Sequence, residues 1–551
     1  MDHGLSLSSY RRYPLVLGVV GQTDGPASMR FFQEALDARV LVRTGYMEVR
    51  AVGPVEGLGT LGFHWGAAIH STDRHPNWQD LSERLGAAGL FREDNRWVLF
   101  TDALGVNPVY LRENEGSLFF STRMAPLIAL PRRLSVDWSA WASIFVMGAP
   151  LGGETPFLEI RRLEGATGLA LEKGDQTRSL SYAPSWLAGD IAWSDPTSLG
   201  EAVRAGLPPR SALPETPAIP LSGGWDSRLL AGLAARFYKG RHRAWTSATD
   251  DGRDLDVSFA ADVAHSLGMR HTTVQQPDSG WPDLATETRI RAQFETWLHP
   301  WLTPLFRRMR NQEISVLDGL GGDVLIKGLF VTERLLESPV AQRPDRLFRR
   351  LGYQPDRRFV GRLRDGPAQG IVESGRQSFH RIAQRYSDHV NQLALTVLHT
   401  RTARVVAVAP TCLLAPEVKT WFPFLHPNVL GLSLSIGPEL KTGGALYREV
   451  LRRCVPRVAE LPSTNDPIPK PALQSRRLQA STEATSWMID SVLRSSTLVD
   501  LFQPDLVTLL HEGWTWSERD PQIERLLMAG SLFAQWERFH RGRIEPSTPP
   551  W

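Results

Sequence analysis

The spacing of apolar and polar positions changes rhythm twice along this chain. Up to about residue 185, apolar residues come in short runs, such as 13–20, 46–52 and 61–65, with the length and residue types of strands. The runs 96–102, 105–111 and 118–122 predict a meander, with a hairpin turn at Asn114-Glu-Gly-Ser117. A stretch from about Pro184 to Pro217, punctuated by proline, glycine and aspartate, reads as a linker with one short helix over 197–204. Beyond it strands alternate with helices: 218–221, a helix to Tyr238, 243–247, a helix over 256–267, 271–274 and 314–317. That order predicts a parallel, doubly wound α/β sheet. From about Arg334 the pattern turns helical, around 392–408, 447–460, 486–493 and 521–540. The expected division is a first domain over 1–185, a linker over 186–217, a second domain over 218–545, and a proline-bearing, non-helical tail over 546–551.

Composition adds exclusions. A chain of 551 residues is too long for one hydrophobic core, so two domains are expected. No uninterrupted apolar run is long enough to span a bilayer, and the first residues lack a basic segment followed by an apolar one, so no membrane association and a cytoplasmic location are expected. Cys412 and Cys454 are the only cysteines, which excludes a disulfide framework and a cysteine-rich zinc site. With 62 basic against 59 acidic residues, net charge gives no argument for nucleic-acid binding. Arginines do cluster at 346, 349, 350, 357, 358, 362 and 364, as a solvated helical face or as a docking surface for an acidic partner or peptide.

The chemistry concentrates where the pattern first alternates. Ile219-Pro-Leu-Ser-Gly-Gly-Trp-Asp-Ser-Arg-Leu-Leu230 runs from an apolar strand through two glycines into a helix. Such a junction offers unpaired N–H groups and a positive helix end to a phosphate. Glycines at 223 and 224 let the backbone close around the anion, and Ser222 and Ser227 add hydroxyl donors. Asp226 repels phosphate by itself and makes sense as a magnesium ligand. Without a ligand, the same stretch would be a turn and a helix cap.

Ser222-Gly-Gly-Trp-Asp-Ser227 matches the pyrophosphatase loop of enzymes that cleave ATP between its α- and β-phosphates. With Asp102, Gly105, Pro108, Tyr110, Ser121-Thr122, Thr155, Phe157, Ile160, Leu163 and Gly165, the chain resembles the asparagine synthetase-type family. The resemblance implies an α+β, Ntn-type glutaminase-like sandwich, followed by an α/β pyrophosphatase domain with a helical C-terminal half. In that family a leading cysteine attacks glutamine. Here no cysteine precedes Cys412, so the first domain is expected to have lost that chemistry.

Further residues follow from the resemblance. Leu221, Ser222, Gly223, Gly224, Asp226, Ser227 and Arg228 would hold ATP, together with Gly319, Gly321 and Gly322 of a second glycine-rich loop. Asp226 and Asp323 would share Mg2+. Asp254 and Asp256 match an acidic segment beside the nucleotide, and Asp256 alone would also serve as a helix cap. Glu417, ahead of Pro423-Phe-Leu-His426, stands as candidate catalytic base, although its spacing is longer than the family's and His426 replaces an aspartate. Lys470 and Lys441 stand as candidates for the lysine that stabilises the charged transition state, neither in the expected Arg-x-Lys setting.

The implied reaction adenylates a carboxylate and lets an amine displace AMP. Two branches lack the cysteine: β-lactam-type synthetases and lasso peptide cyclases. The Ser227-Arg-Leu-Leu230 continuation resembles the cyclases, which implies a precursor peptide as substrate and a leader peptidase and leader-binding protein as companions. A small-molecule amide synthetase, an ammonia-dependent asparagine synthetase and a non-catalytic scaffold that binds nucleotide or peptide remain alternatives.

Overall fold

A computed structural model describes residues 15–33, 38–66, 77–84, 86–94, 96–172, 177–188, 195–213, 216–238, 242–248, 255–352, 361–414, 417–467, 478–516 and 521–551. Lys470, Asp254, Arg357 and Arg358 lie outside the described residues.

Among the described residues, two six-stranded sheets form the N-terminal part. One runs Ile160–Arg162, Tyr110–Asn114, Ser117–Ser121, Leu15–Val20, Met47–Val52 and Arg39–Arg43 in spatial order. The other runs Thr177–Ser181, Thr167–Leu171, Arg96–Phe100, Ala87–Glu93, Gly62–Gly66 and Glu56–Gly57. Every pairing is antiparallel. Strand alternation explains the layering. Val16 and Val20 face the second sheet, where they join Phe63, Leu90, Leu99 and Leu169, whereas Leu15, Leu17 and Val19 face the opposite way into a larger core shared with helices. The expected hairpin turn holds Glu115 and Gly116 at φ 52° and 77°, the two left-handed residues of a tight primed turn.

The run 105–111 is a strand only from Tyr110. The Asp102 carboxylate explains why. It accepts from the N–H groups of Leu104, Val106 and Asn107 at 3.1, 3.0 and 2.7 Å, which curls this segment into a loop. The expected linker also differs. Its helix, Pro196–Ala205, is capped by Asp195, buries Leu199 and Val203, and lays Gly200 against Cys454, so it belongs to the core of the second domain.

The second sheet system is parallel: β1 (Thr216–Pro220), β2 (Arg243–Ser247), β3 (Arg270–Val274), β4 (Ile314–Leu317) and β5 (Thr420–Trp421), in the order β3-β2-β1-β4-β5. Helix α1 (Trp225–Tyr238) follows β1 and α2 (Leu255–Leu267) follows β2. The chain builds outward from β1 on one side, then returns to place β4 on the other. This reversal opens a crevice at the carboxyl ends of β1 and β4, where ligands of such sheets bind.

The two halves share buried polar contacts. Glu295, 1 % exposed, accepts from the Tyr110 hydroxyl at 3.0 Å and from the guanidinium groups of Arg162 at 3.5 Å and Arg404 at 3.1 Å. The C-terminal segment closes the structure from outside. Leu134 N–H donates to the Arg543 carbonyl and Glu545 N–H to the Leu134 carbonyl, each at 2.8 Å, and Trp551 stacks edge-on to Trp138. No helix among the described residues is long and apolar enough to cross a membrane.

Candidate functional site: a two-loop recess with paired carboxylates

The glycine loop leaves β1 at Leu221, whose N–H donates to the Trp245 carbonyl at 2.8 Å and whose carbonyl accepts from the Thr246 hydroxyl at 2.7 Å. With both backbone groups engaged and its side chain buried, Leu221 anchors the loop to β2 and is corrected from ligand to support. Ser222 N–H donates to the Ser227 hydroxyl at 3.0 Å, Gly224 N–H to the Ser222 hydroxyl at 3.2 Å, and Gly223 N–H to Asp256 at 2.8 Å. The amides of Ser222, Gly223 and Gly224 are therefore held by hydroxyls of the loop itself and by Asp256, acceptors that a bound phosphate would have to replace. Asp256 sits in the first turn of α2, and its carboxylate accepts from the loop.

The second glycine loop follows β4. Asp318 N–H donates to the Trp421 carbonyl, tying the loop to β5, and Gly321 turns it with φ 90°. A Cβ on Gly322 would sit 2.9 Å from the Asp226 carboxyl carbon and 3.1 Å from Phe424. A Cβ on Gly321 would sit 2.8 Å from Leu425. Glycine at 322 thus lets the first turn of α1 approach the second loop, and Pro423-Phe424-Leu425 packs against both glycines. His426 takes over as helix cap, its Nδ1 accepting from Asn428 N–H at 3.2 Å. The substitution Gly322→Ala is expected to lower turnover at least about 100-fold while the fold survives, because reacting groups tolerate only small displacements. Steady-state kinetics beside circular dichroism checks this.

Between the loops lie Asp226 and Asp323. Burial, reinforced by the Asp323 charge, pushes the Asp226 carboxyl up to about 8. The Tyr447 hydroxyl donates to Asp226 Oδ1 at 2.7 Å and stabilises its anion. Asp323 is also raised by burial, against the opposing charges of Arg401 and Lys327. Among the described residues no three metal-ligating His, Cys, Asp or Glu side chains gather. Two hard carboxylates in one recess are nonetheless the donor set Mg2+ takes when phosphate oxygens and water complete its shell, so the residues present fit that ion.

Several expected residues stand elsewhere. Arg228 is fully buried, and its guanidinium donates to the carbonyls of Val458 at 3.2 Å and of Leu461 and Pro462 at 2.5 Å. It pins the 458–462 segment to α1 and is corrected from nucleotide ligand to structural anchor. Glu417 precedes β5 at its amino end, away from the loops, paired with Arg291 at 2.8 Å in a network with Glu287 and Arg310. That pairing removes it as catalytic base. Lys441 is 1 % exposed, its Nζ donating to Asn391 Oδ1 at 3.1 Å, and burial pushes its ammonium down to about 7. Asn391 in turn holds the carbonyls of Leu434 and Ile436, so Lys441 belongs to a closed structural set.

The site also contains residues that the sequence reading passed over. Tyr447 was visible only as the start of a helix, and Lys327 follows Asp323 by four residues without any motif. Asn465 and Thr464 come from a third segment, Thr464 N–H donating to the Gly223 carbonyl at 3.0 Å. Only the fold brings these three stretches together.

Comparison with known proteins agrees with this geometry. No curated protein matches the sequence. One matching solved structure, titled the structure of the allosteric regulatory enzyme of purine biosynthesis, shares 10% identity over 64% of this chain and 75% of that one, with a TM-score of 0.18, too low to carry an argument. The family described as asparagine synthase matches residues 215–528, which span the parallel sheet, both glycine loops and most of the C-terminal helices. The chain belongs to the asparagine synthase family.

Proposed function

We propose that the chain is an AMP-forming amide synthetase whose amine comes from the substrate and not from glutamine, and that its substrate is a peptide closed into a macrolactam, as in lasso peptide cyclases. The observation that carries the nucleotide chemistry is the recess in which Asp226 and Asp323 face one another between two glycine loops. Members of the family are ATP-dependent amide-forming ligases. Bound Mg2+ would neutralise the pyrophosphate leaving group through these two carboxylates. The hydroxyls of Ser222 and Ser227, at the amino end of α1, would orient the phosphates, and Tyr447 keeps Asp226 in place. The carboxylate oxygen of the acid then attacks the α-phosphorus, pyrophosphate leaves, and the amine displaces AMP.

The peptide reading rests on two features. No cysteine precedes Cys412, so the chain lacks a glutamine-attacking nucleophile in its first domain. The helix Arg343–Leu351 buries Leu347, Phe348 and Leu351 and exposes Arg346, Arg349 and Arg350, a basic face suited to an acidic peptide. Arg228, which favours the cyclases by sequence, supports the fold and offers no contact to a peptide. A precursor peptide, a leader peptidase and a leader-binding protein in the cytoplasm complete this proposal. ATP–pyrophosphate exchange tests it. Exchange is expected with a precursor peptide bearing an Asp or Glu acceptor and not with free aspartate. Exchange with free aspartate alone removes the peptide, and none with any acid removes the catalytic reading.

A further inference from the structure

We infer that Lys327 is a phosphate ligand of this site, a cation placed over the glycine loop to hold the pyrophosphate end of ATP; the inference rests on the ATP-cleaving reading. Lys327 lies four residues beyond Asp323, just after the short helix Gly322–Leu325 that ends the second loop. Its Nζ donates to Asn465 Oδ1 and stands 5.3 Å from the ring centroid of Trp225, the residue between Gly224 and Asp226. The ammonium therefore touches the first loop through an indole face and the third segment through an amide, and reaches both from the second loop.

Each support is itself fixed. Trp225 is 4 % exposed and packs edge-on against Tyr447 at 5.6 Å. Asn465 N–H donates to the Ser463 hydroxyl at 3.1 Å, and Ser463 N–H to Asp466 at 2.7 Å. Thr464 is bonded to the Gly223 carbonyl, and Arg228 grips the carbonyls just upstream. A second cation, Arg448, lies at the same 5.3 Å from the Trp225 ring and 3.9 Å from Asp466. One indole thus orders two positive groups at the rim of a loop built to receive an anion. Cation–π contact orients an ammonium without neutralising it, so its charge still acts on a phosphate nearby.

Lys441, the other candidate lysine among the described residues, does not compete for this place. Lys441 is consumed by Asn391, and in the segment expected to supply a lysine the described residues next to the loop are Ser463, Thr464 and Asn465. Asn465 receives the ammonium from across the recess instead.

The test is calorimetric titration of Mg2+–pyrophosphate into the full chain, as wild type, K327Q, K327M and K327R, each first checked for an unchanged melting temperature. K327Q and K327M are expected to weaken binding at least about tenfold, and K327R to stay within about threefold. Arginine keeps the charge, so its rescue separates ligand binding from a packing role. Equal affinity in K327Q, K327M and wild type overturns the assignment. A wild type that binds no pyrophosphate and shows no exchange overturns the ATP-cleaving reading and this inference together. A wild type that exchanges while K327Q and K327M do so equally overturns this inference alone.

Discussion

Replacing Asp226 by Asn is expected to abolish pyrophosphate release, by about 1,000-fold or more, and at the same time to stabilise the nucleotide-free protein at alkaline pH. The first effect follows from removing one of two carboxylates aimed at the leaving group. The second follows from linkage. Asp226 is raised from 3.8 to about 8 by burial and by Asp323, so the folded chain holds a proton that the unfolded chain releases. Below about pH 4 both states are protonated and the group costs nothing. Between about pH 4 and 8 the unfolded state ionises alone, and stability falls as pH rises. Asparagine has no charge to bury, and its amide oxygen still accepts from Tyr447. The variant should therefore gain about 1–3 kcal/mol over the wild type at pH 8, shrinking to almost nothing near pH 4. Thermal unfolding across this range, without nucleotide or metal, measures it. A gain that is flat with pH would mean that Asp226 is not protonated in the folded state. Mg2+ binding by the wild type should strengthen over the same interval, because the ion must displace that proton.

The second large effect concerns the boundary between the halves. Glu295→Ala is expected to cost about 3–5 kcal/mol, because it leaves the Arg162 and Arg404 guanidinium groups buried without their counter-charge. The Tyr110 hydroxyl also loses its acceptor, leaving Gln293, whose amide donates to it at 3.0 Å, as its neighbour. Glu295→Gln keeps an acceptor for Tyr110 and should cost less. Chemical unfolding curves read both. A loss below about 1 kcal/mol for the alanine variant would show that the cluster relaxes to water when the carboxylate is gone.

How much of this was legible beforehand varies with the range of the interactions. The strand–loop–helix of 216–238 and the strand Ile314–Leu317 could be read from local pattern, since a buried parallel strand is a short apolar run bounded by turn residues. Arg39–Arg43 and Thr177–Ser181 were missed because both are edge strands of mixed polarity, whose partners across the sheet, not their own pattern, define them. Asp226 and Asp323, read from the two glycine loops, lie in one recess, a placement that Gly322 makes possible. Glu417 was misplaced because a motif read by spacing does not say at which end of a strand it falls. Arg228 was misread because an arginine beside a phosphate loop and an arginine that binds three carbonyls look alike in sequence. Lys327 and Asn465 are far apart in the chain and carry no local pattern, so nothing short of the fold could pair them.

The strap between Leu134 and residues 543–545 has a consequence for how the chain is made. Both hydrogen bonds that fix Leu134 involve residues 543 and 545, which are made long after it. The N-terminal sheets can collapse on their own core during synthesis, yet the face carrying Leu134, Trp138 and Trp141 stays open until Phe533, Trp536 and Trp551 arrive. This face is therefore expected to close only once residues 533–551 have been made, with an aromatic surface exposed in the meantime that a chaperone would recognise.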